Sequence, residues 1–176
     1  MKLKLLKTSK WIERDAAYEE VRLELGLWDG HVFAFWQNGN PVQIESSHFS
    51  ISHKDWICLI GISNKPIWVD IEFLSKRDLS LFSYFSAEEF NLSWKSDWEW
   101  FYILWTAKES IIKCIWAILD NMKEIALVSK THTIKQIWNL NFTLALISVF
   151  RNFEFITYVW INDNLVYSVT ELYEKI

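Results

Sequence analysis

The chain has 176 residues, of which 51% are apolar and 23% charged, and a formal charge of −4. That length supports one domain or two small lobes sharing a core, and the balance of apolar and charged residues excludes extensive disorder. The negative charge excludes the basic stripe of a nucleic-acid binder, so a polyanionic ligand would have to be met by local cations or by a metal.

Twelve Trp and twelve Phe supply a large, rigid apolar content, mostly core, with part of it available as a docking surface. Cys58 and Cys114 lie in apolar runs without metal-like spacing and read as buried thiols of a reducing compartment. Residues 1–24 are studded with Lys, Arg and Glu, unlike a secretory signal. The uncharged stretch 136–150 contains two Asn and is too short and too polar to span a bilayer. A cytoplasmic protein without membrane segments is expected.

Residues 11–25 (WIERDAAYEEVRLEL) read as a charged helix ending near Gly26 and the Asp29-Gly30 turn. Residues 31–36 form a short aromatic strand candidate, and 37–41 (QNGNP) a turn. Residues 48–53 and 56–63 read as the two strands of a hairpin around Lys54-Asp55. After the Asn64-Lys65-Pro66 break comes a strand over 67–73, then a helical patch over 77–85. Ser86 with Glu88 and Glu89 has the signature of a helix N-cap followed by acids in the first turn. Residues 97–119 are the longest helix candidate, with Trp98, Trp105, Ile112 and Trp116 near one face. Beyond residue 125 the chain is β-rich, with runs at 142–150, 153–161 and 165–169 and a hairpin turn at Asn162-Asp163-Asn164. Strands, helices and strands again predict an α+β protein with largely antiparallel sheets, and the best internal boundary is 64–66.

Three segments carry candidate chemistry. In Val69-Asp70-Ile71-Glu72, period-2 geometry puts both carboxylates on one face of a strand. Neighbouring carboxylates repel unless a cation sits between them, and Mg²⁺ suits oxygen ligands; a solvated acidic edge strand has the same spacing. In the helix, Glu109 and Lys113 are four apart and share a face, which suits a third carboxylate and a phosphate-binding ammonium but also an ordinary surface ion pair. Ser52, His53 and Lys54 place a hydroxyl, an imidazole and an ammonium at a strand end, all suitable phosphate partners. The lack of a Gly-rich elbow beside the pair argues against a serine nucleophile there.

In order, SISHK, VDIE, FSAEE and WTAKESIIK resemble the four blocks of the 4′-phosphopantetheinyl transferase family, over about residues 39–113. The resemblance implies transfer of the phosphopantetheine arm of coenzyme A to a serine of an apo acyl or peptidyl carrier protein, releasing adenosine 3′,5′-bisphosphate. It implies Asp70, Glu72 and Glu109 as Mg²⁺ ligands, with Glu109, Lys113 and Asp70 as the catalytic group. It further implies Ser52, His53, Lys108 and Lys113 as partners of the coenzyme A phosphates, and Gly39-Asn40-Pro41 as the turn beside the adenine. Lys10 and Arg14 would stand for N-terminal basic residues that meet the nucleotide. Glu89 matches the last position of F-S-x-x-E, where a helix-start charge and a catalytic role are both open.

The chain departs from the family pattern in three places. Asn40 replaces a Lys, Trp68 stands where a small residue is usual, and the Gly often found soon after Lys113 is missing. The implied fold is a monomeric pseudo-dimer of two similar lobes, each a mostly antiparallel sheet packed with a long helix. Residues 1–65 would form a reduced N-terminal lobe, and 66–176 a C-terminal lobe carrying the metal site. The alternatives are a catalytically weakened carrier-protein-binding module of the same family and an unrelated Mg²⁺-dependent phosphohydrolase.

Overall fold

A computed structural model describes residues 1–7, 13–28, 32–33, 44, 47–92, 97–115, 117–137 and 140–175. The strand candidate at 31–36, the turn at 37–41, Lys10 and Trp116 lie wholly or largely outside the described residues, as does the side chain of Arg14.

The apolar alternation of the first half produces a three-stranded antiparallel sheet in the order β1-β3-β2, from β1 (Lys2–Lys7), β2 (His48–Lys54) and β3 (Ile57–Ser63). The hairpin between β2 and β3 turns at Asp55, whose φ of 52 is left-handed and suits a short polar residue. Strand β1 was hidden in the sequence by its three lysines. Leu3 is buried, while Lys2 reaches Glu24 and Lys4 reaches Glu20 on helix α1 (Glu13–Leu25). The helix therefore covers this sheet through Ala17 and Val21, which pack with Phe33, Phe49, Cys58 and Ile60.

The second half forms a five-stranded antiparallel sheet in the order β4-β8-β7-β6-β5. Its strands are β4 (Ile67–Phe73), β5 (Ala126–Ile137), β6 (Leu140–Phe150), β7 (Phe153–Asn162) and β8 (Leu165–Lys175). A 3₁₀ turn (Leu79–Tyr84) and the short helix α2 (Ala87–Asn91) lead to the long helix α3 (Asp97–Ile115). The Ser86 expectation is met in full: Ser86 Oγ accepts from Glu89 N and Glu89 returns the bond to Ser86 N, a reciprocal capping box. Strand β5 was not among the runs expected from the sequence, because its buried positions are too sparse for a clear period-2 signal.

Helix α3 crosses β8 and β4 on one face of the sheet. Small hydroxyls line that crossing: Ser168 Oγ donates to the Thr106 carbonyl at 2.9 Å, and Thr170 lies within hydrogen-bond distance of both Ser110 and Thr157. They let the helix lie close to the strands. The opposite face of β4, through Val69 and Ile71, packs on Leu3, Ile57 and Leu59 of the small sheet. The two sheets meet closely at Gly61, where a Cβ would stand 2.8 Å from Val69 Cγ1. An α+β chain with two antiparallel sheets and one long helix results. Among the described residues, no helix is long and apolar enough to cross a membrane. Cys58 and Cys114 are free thiols, the first fully buried.

Candidate active site

Strand β4 is an edge of its sheet, and β2 runs along that open edge. Alternate residues of β2 face it: Ser50 Oγ accepts from Val69 N at 3.2 Å, Ser52 Oγ donates to Asp70 Oδ1 at 2.9 Å, and Lys54 Nζ lies 2.8 Å from Glu72 Oε2. Asp70 pairs directly with Ser168 of β8, so its side chain shares the face on which α3 rests. From α3, Lys113 Nζ reaches Asp70 Oδ1 at 2.7 Å and also donates to Ser52 Oγ and the Val69 carbonyl, each at 3.1 Å. One turn earlier on the same helix face, Glu109 feels the charges of Asp70, Lys113, Glu72 and Lys54. The strand spacing and the helix spacing thus converge on one cluster. Neither spacing alone could say that the two faces meet.

Burial is the largest influence on Glu109. Together with the charge of Asp70 and, more weakly, that of Glu72, it pushes the carboxyl up to about 7, against the downward pull of Lys113 and Lys54. Asp70 is itself buried, and its Oδ2 has no hydrogen-bond partner. A buried carboxylate oxygen left unsatisfied costs about 1–3 kcal/mol, so this atom is a ready ligand for a cation. Asp70, Glu72 and Glu109 offer only oxygen atoms, the ligand chemistry that hard divalent ions such as Mg²⁺ prefer. Among the described residues, no three His, Cys, Asp or Glu side chains are gathered closely enough to hold a metal ion as they stand. Two of the three carboxylates are instead held by protein cations.

The structure separates two residues that the sequence placed with this cluster. Lys108 has only 2% of its side chain exposed and points to the other side of α3. There its ammonium pairs with Glu89, 2.7 Å from Oε1, and donates to the Met122 carbonyl at 3.2 Å, above the Phe85 ring. Adjacent helix positions diverge by about 100°, so Lys108 cannot accompany Glu109 toward Asp70. Burial lowers the proton affinity of Lys108, and Glu89 works against that loss. Glu89 also accepts from Leu127 N at 3.0 Å, so the F-S-x-x-E segment ties α2, α3 and β5 together from within. His53 is likewise apart: it is exposed on the opposite face of β2 from buried Ser52, as adjacent strand residues must be. Gly39, Asn40, Pro41 and Lys10 fall outside the described residues, and Arg14 is described in its backbone alone.

Sequence reasoning missed Arg77. Its Nη2 donates to Glu72 Oε2 at 2.9 Å, the same oxygen that Lys54 meets. A cation shortly after the D-x-E strand was the available signal. Its partners Tyr102 and Trp105, 5.4 and 5.9 Å from ring centroid to guanidinium, are 25 or more residues away and give no local clue.

Residues 66–158 match the model of the 4′-phosphopantetheinyl transferase superfamily, a span holding Asp70, Glu72, Arg77, Glu89, Lys108, Glu109 and Lys113. A 4′-phosphopantetheinyl transferase of Bacillus pumilus is 38% identical over 84 residues, covering 43% of this chain and 36% of that protein. One of Aneurinibacillus migulanus is 37% identical over 83 residues, covering 44% of this chain and 35% of that protein. The chain therefore spans about a third of the length of each of these relatives.

Proposed function

The chain belongs to the 4′-phosphopantetheinyl transferase superfamily, and from that footing we propose that it transfers the phosphopantetheine arm of coenzyme A to a serine of an apo carrier protein. The observation that carries the reading is the meeting of Asp70, Glu109 and Lys113 beside Glu72, with the buried Asp70 Oδ2 unsatisfied. Such a site joins carboxylates for a cation with cations for an anion, as a metal-assisted phosphoryl-type transfer needs.

Asp70, Glu72 and Glu109 would hold Mg²⁺, which when bound would offset charge on the diphosphate of coenzyme A. Lys113, which donates to Asp70, Ser52 and the Val69 carbonyl, would exchange one of these contacts for a phosphate oxygen. Glu109, whose proton affinity is raised by burial, suits the second task of taking the proton from the carrier serine. The serine oxygen then bonds to the phosphorus bearing the pantetheine arm. The bond from that phosphorus to the bridging oxygen breaks, and adenosine 3′,5′-bisphosphate leaves. Ser52 holds Asp70 and Lys113 in register.

The same reading takes the chain as a monomer with a reduced lobe at 1–65 and a second lobe at 66–176. The change from the three-stranded to the five-stranded sheet between β3 and β4 supports that lobe boundary. The test is mass spectrometry of an apo carrier protein incubated with the chain, coenzyme A and Mg²⁺. A gain of one phosphopantetheine that disappears in Asp70→Ala and Glu109→Ala is the expected result. Carrier binding without any mass gain across several carriers would replace transfer by a binding module.

A further inference from the structure

Glu72 carries two cations on one oxygen. Lys54 Nζ and Arg77 Nη2 lie 2.8 and 2.9 Å from Oε2, and both side chains are about a third exposed. Partly exposed pairs of this kind each contribute only about 0–1 kcal/mol, so stability does not account for doubling them on a single oxygen. Arg77 has a second anchorage. Its guanidinium lies over the rings of Tyr102 and Trp105, and the Tyr102 hydroxyl shares a hydrogen bond of 2.8 Å with Ser75 Oγ. Both rings are buried and belong to α3. The guanidinium therefore keeps an aromatic platform whether or not Glu72 remains its partner.

Charge balance gives this arrangement a use. With Glu109 ionised, Asp70, Glu72 and Glu109 carry three negative charges, and Lys54, Arg77 and Lys113 carry three positive ones. The cluster is neutral by itself. A divalent cation claiming the carboxylates would leave two positive charges unmatched, which the two charges of a diphosphate diester would cancel.

Resting on the reading above, we propose that Arg77, assisted by Lys54, is a further diphosphate-binding cation of this site: it neutralises Glu72 before a divalent ion binds and passes to a phosphate oxygen afterwards. Arginine suits the exchange because its planar fork fits a carboxylate and a phosphate alike, while the aromatic faces hold its position.

The experiment is calorimetric titration of the whole chain with Mg²⁺ alone, and with inorganic pyrophosphate at saturating Mg²⁺, for wild type, Arg77→Gln and Arg77→Lys. Arg77→Gln should bind Mg²⁺ as tightly as wild type or severalfold tighter, because a competitor for Glu72 is gone. The same variant should bind pyrophosphate roughly tenfold or more weakly, the loss of one charge-assisted contact. Arg77→Lys, which keeps the charge, should retain more pyrophosphate affinity than Arg77→Gln and controls for a folding defect. Weakened anion binding without weakened metal binding is the signature that a merely structural role would not produce. Unchanged pyrophosphate affinity in Arg77→Gln, or weakened Mg²⁺ binding, overturns the proposal even if the wild type modifies carrier proteins. A wild type that shows the titration pattern but modifies no carrier overturns the transfer reading and leaves the role of Arg77 standing.

Discussion

The Lys113 ammonium lies 2.7 Å from Asp70 Oδ1, joining residues 43 positions apart on a helix and an edge strand. Asp70 is buried and its second oxygen is unsatisfied, so this ion pair is what keeps the carboxylate charge inside the protein. Removing Lys113 while keeping Asp70 should cost about 1–3 kcal/mol, less than for a fully buried pair because the lysine is partly exposed. Urea unfolding of Lys113→Met against wild type in EDTA measures the loss. Added Mg²⁺ should recover part of it by supplying Asp70 with another cation; a loss insensitive to Mg²⁺ would argue against Asp70 as a ligand.

The Glu109 carboxyl sits at about 7 in the folded chain, against an ordinary 4.5. The folded state therefore keeps a proton that the unfolded state has already released between those values. Stability without metal should decline as pH rises from about 4.5 and level off above about 7, by an amount on the order of 3 kcal/mol. Glu109→Gln has no charge to desolvate and should show a shallower decline over that window. Denaturation midpoints at pH 5 and pH 8 in EDTA decide the matter, and parallel profiles for the two proteins would contradict it.

Lys108 and Glu89 form a buried pair whose outer hydrogen bonds reach Ser86 N, Leu127 N and the Met122 carbonyl. Truncating one member strands the other's charge in the core. Lys108→Ala and Glu89→Ala should each cost about 3–5 kcal/mol, with the double variant losing clearly less than the sum. Additive losses in a denaturant double-mutant cycle would show that the two side chains act separately.

Gly61 lies where a Cβ would come within 2.8 Å of Val69 Cγ1 and 3.1 Å of Ile67 Cδ1. Gly61→Val should destabilise by about 1–3 kcal/mol through overpacking, and it pushes on the strand that carries Asp70. A stability within 0.5 kcal/mol of wild type, a typical surface tolerance, would mean that the sheets separate at little cost.

What the sequence by itself determined was local. Period 2 in 67–73 put Asp70 and Glu72 on one face, and the four-residue step put Glu109 and Lys113 on another, because strand and helix geometry alone dictate those directions. The hairpin at 48–63, the Ser86 cap and the ordered motif blocks were legible for the same reason: each depends on near neighbours. Period 2 also separates His53 from Ser52, although their adjacency in a shared motif drew them together. Tertiary structure decided that the acidic strand face and the helix face meet, and that Lys108 turns inward to Glu89. It also decided that Arg77 stands on Tyr102 and Trp105 above Glu72. Those are contacts between segments far apart in the chain, set by how closely α3 lies on β4 and β8. The pairing of Asp70 with Lys113 was thus prepared by two short patterns and completed only by the packing of a helix on a sheet edge.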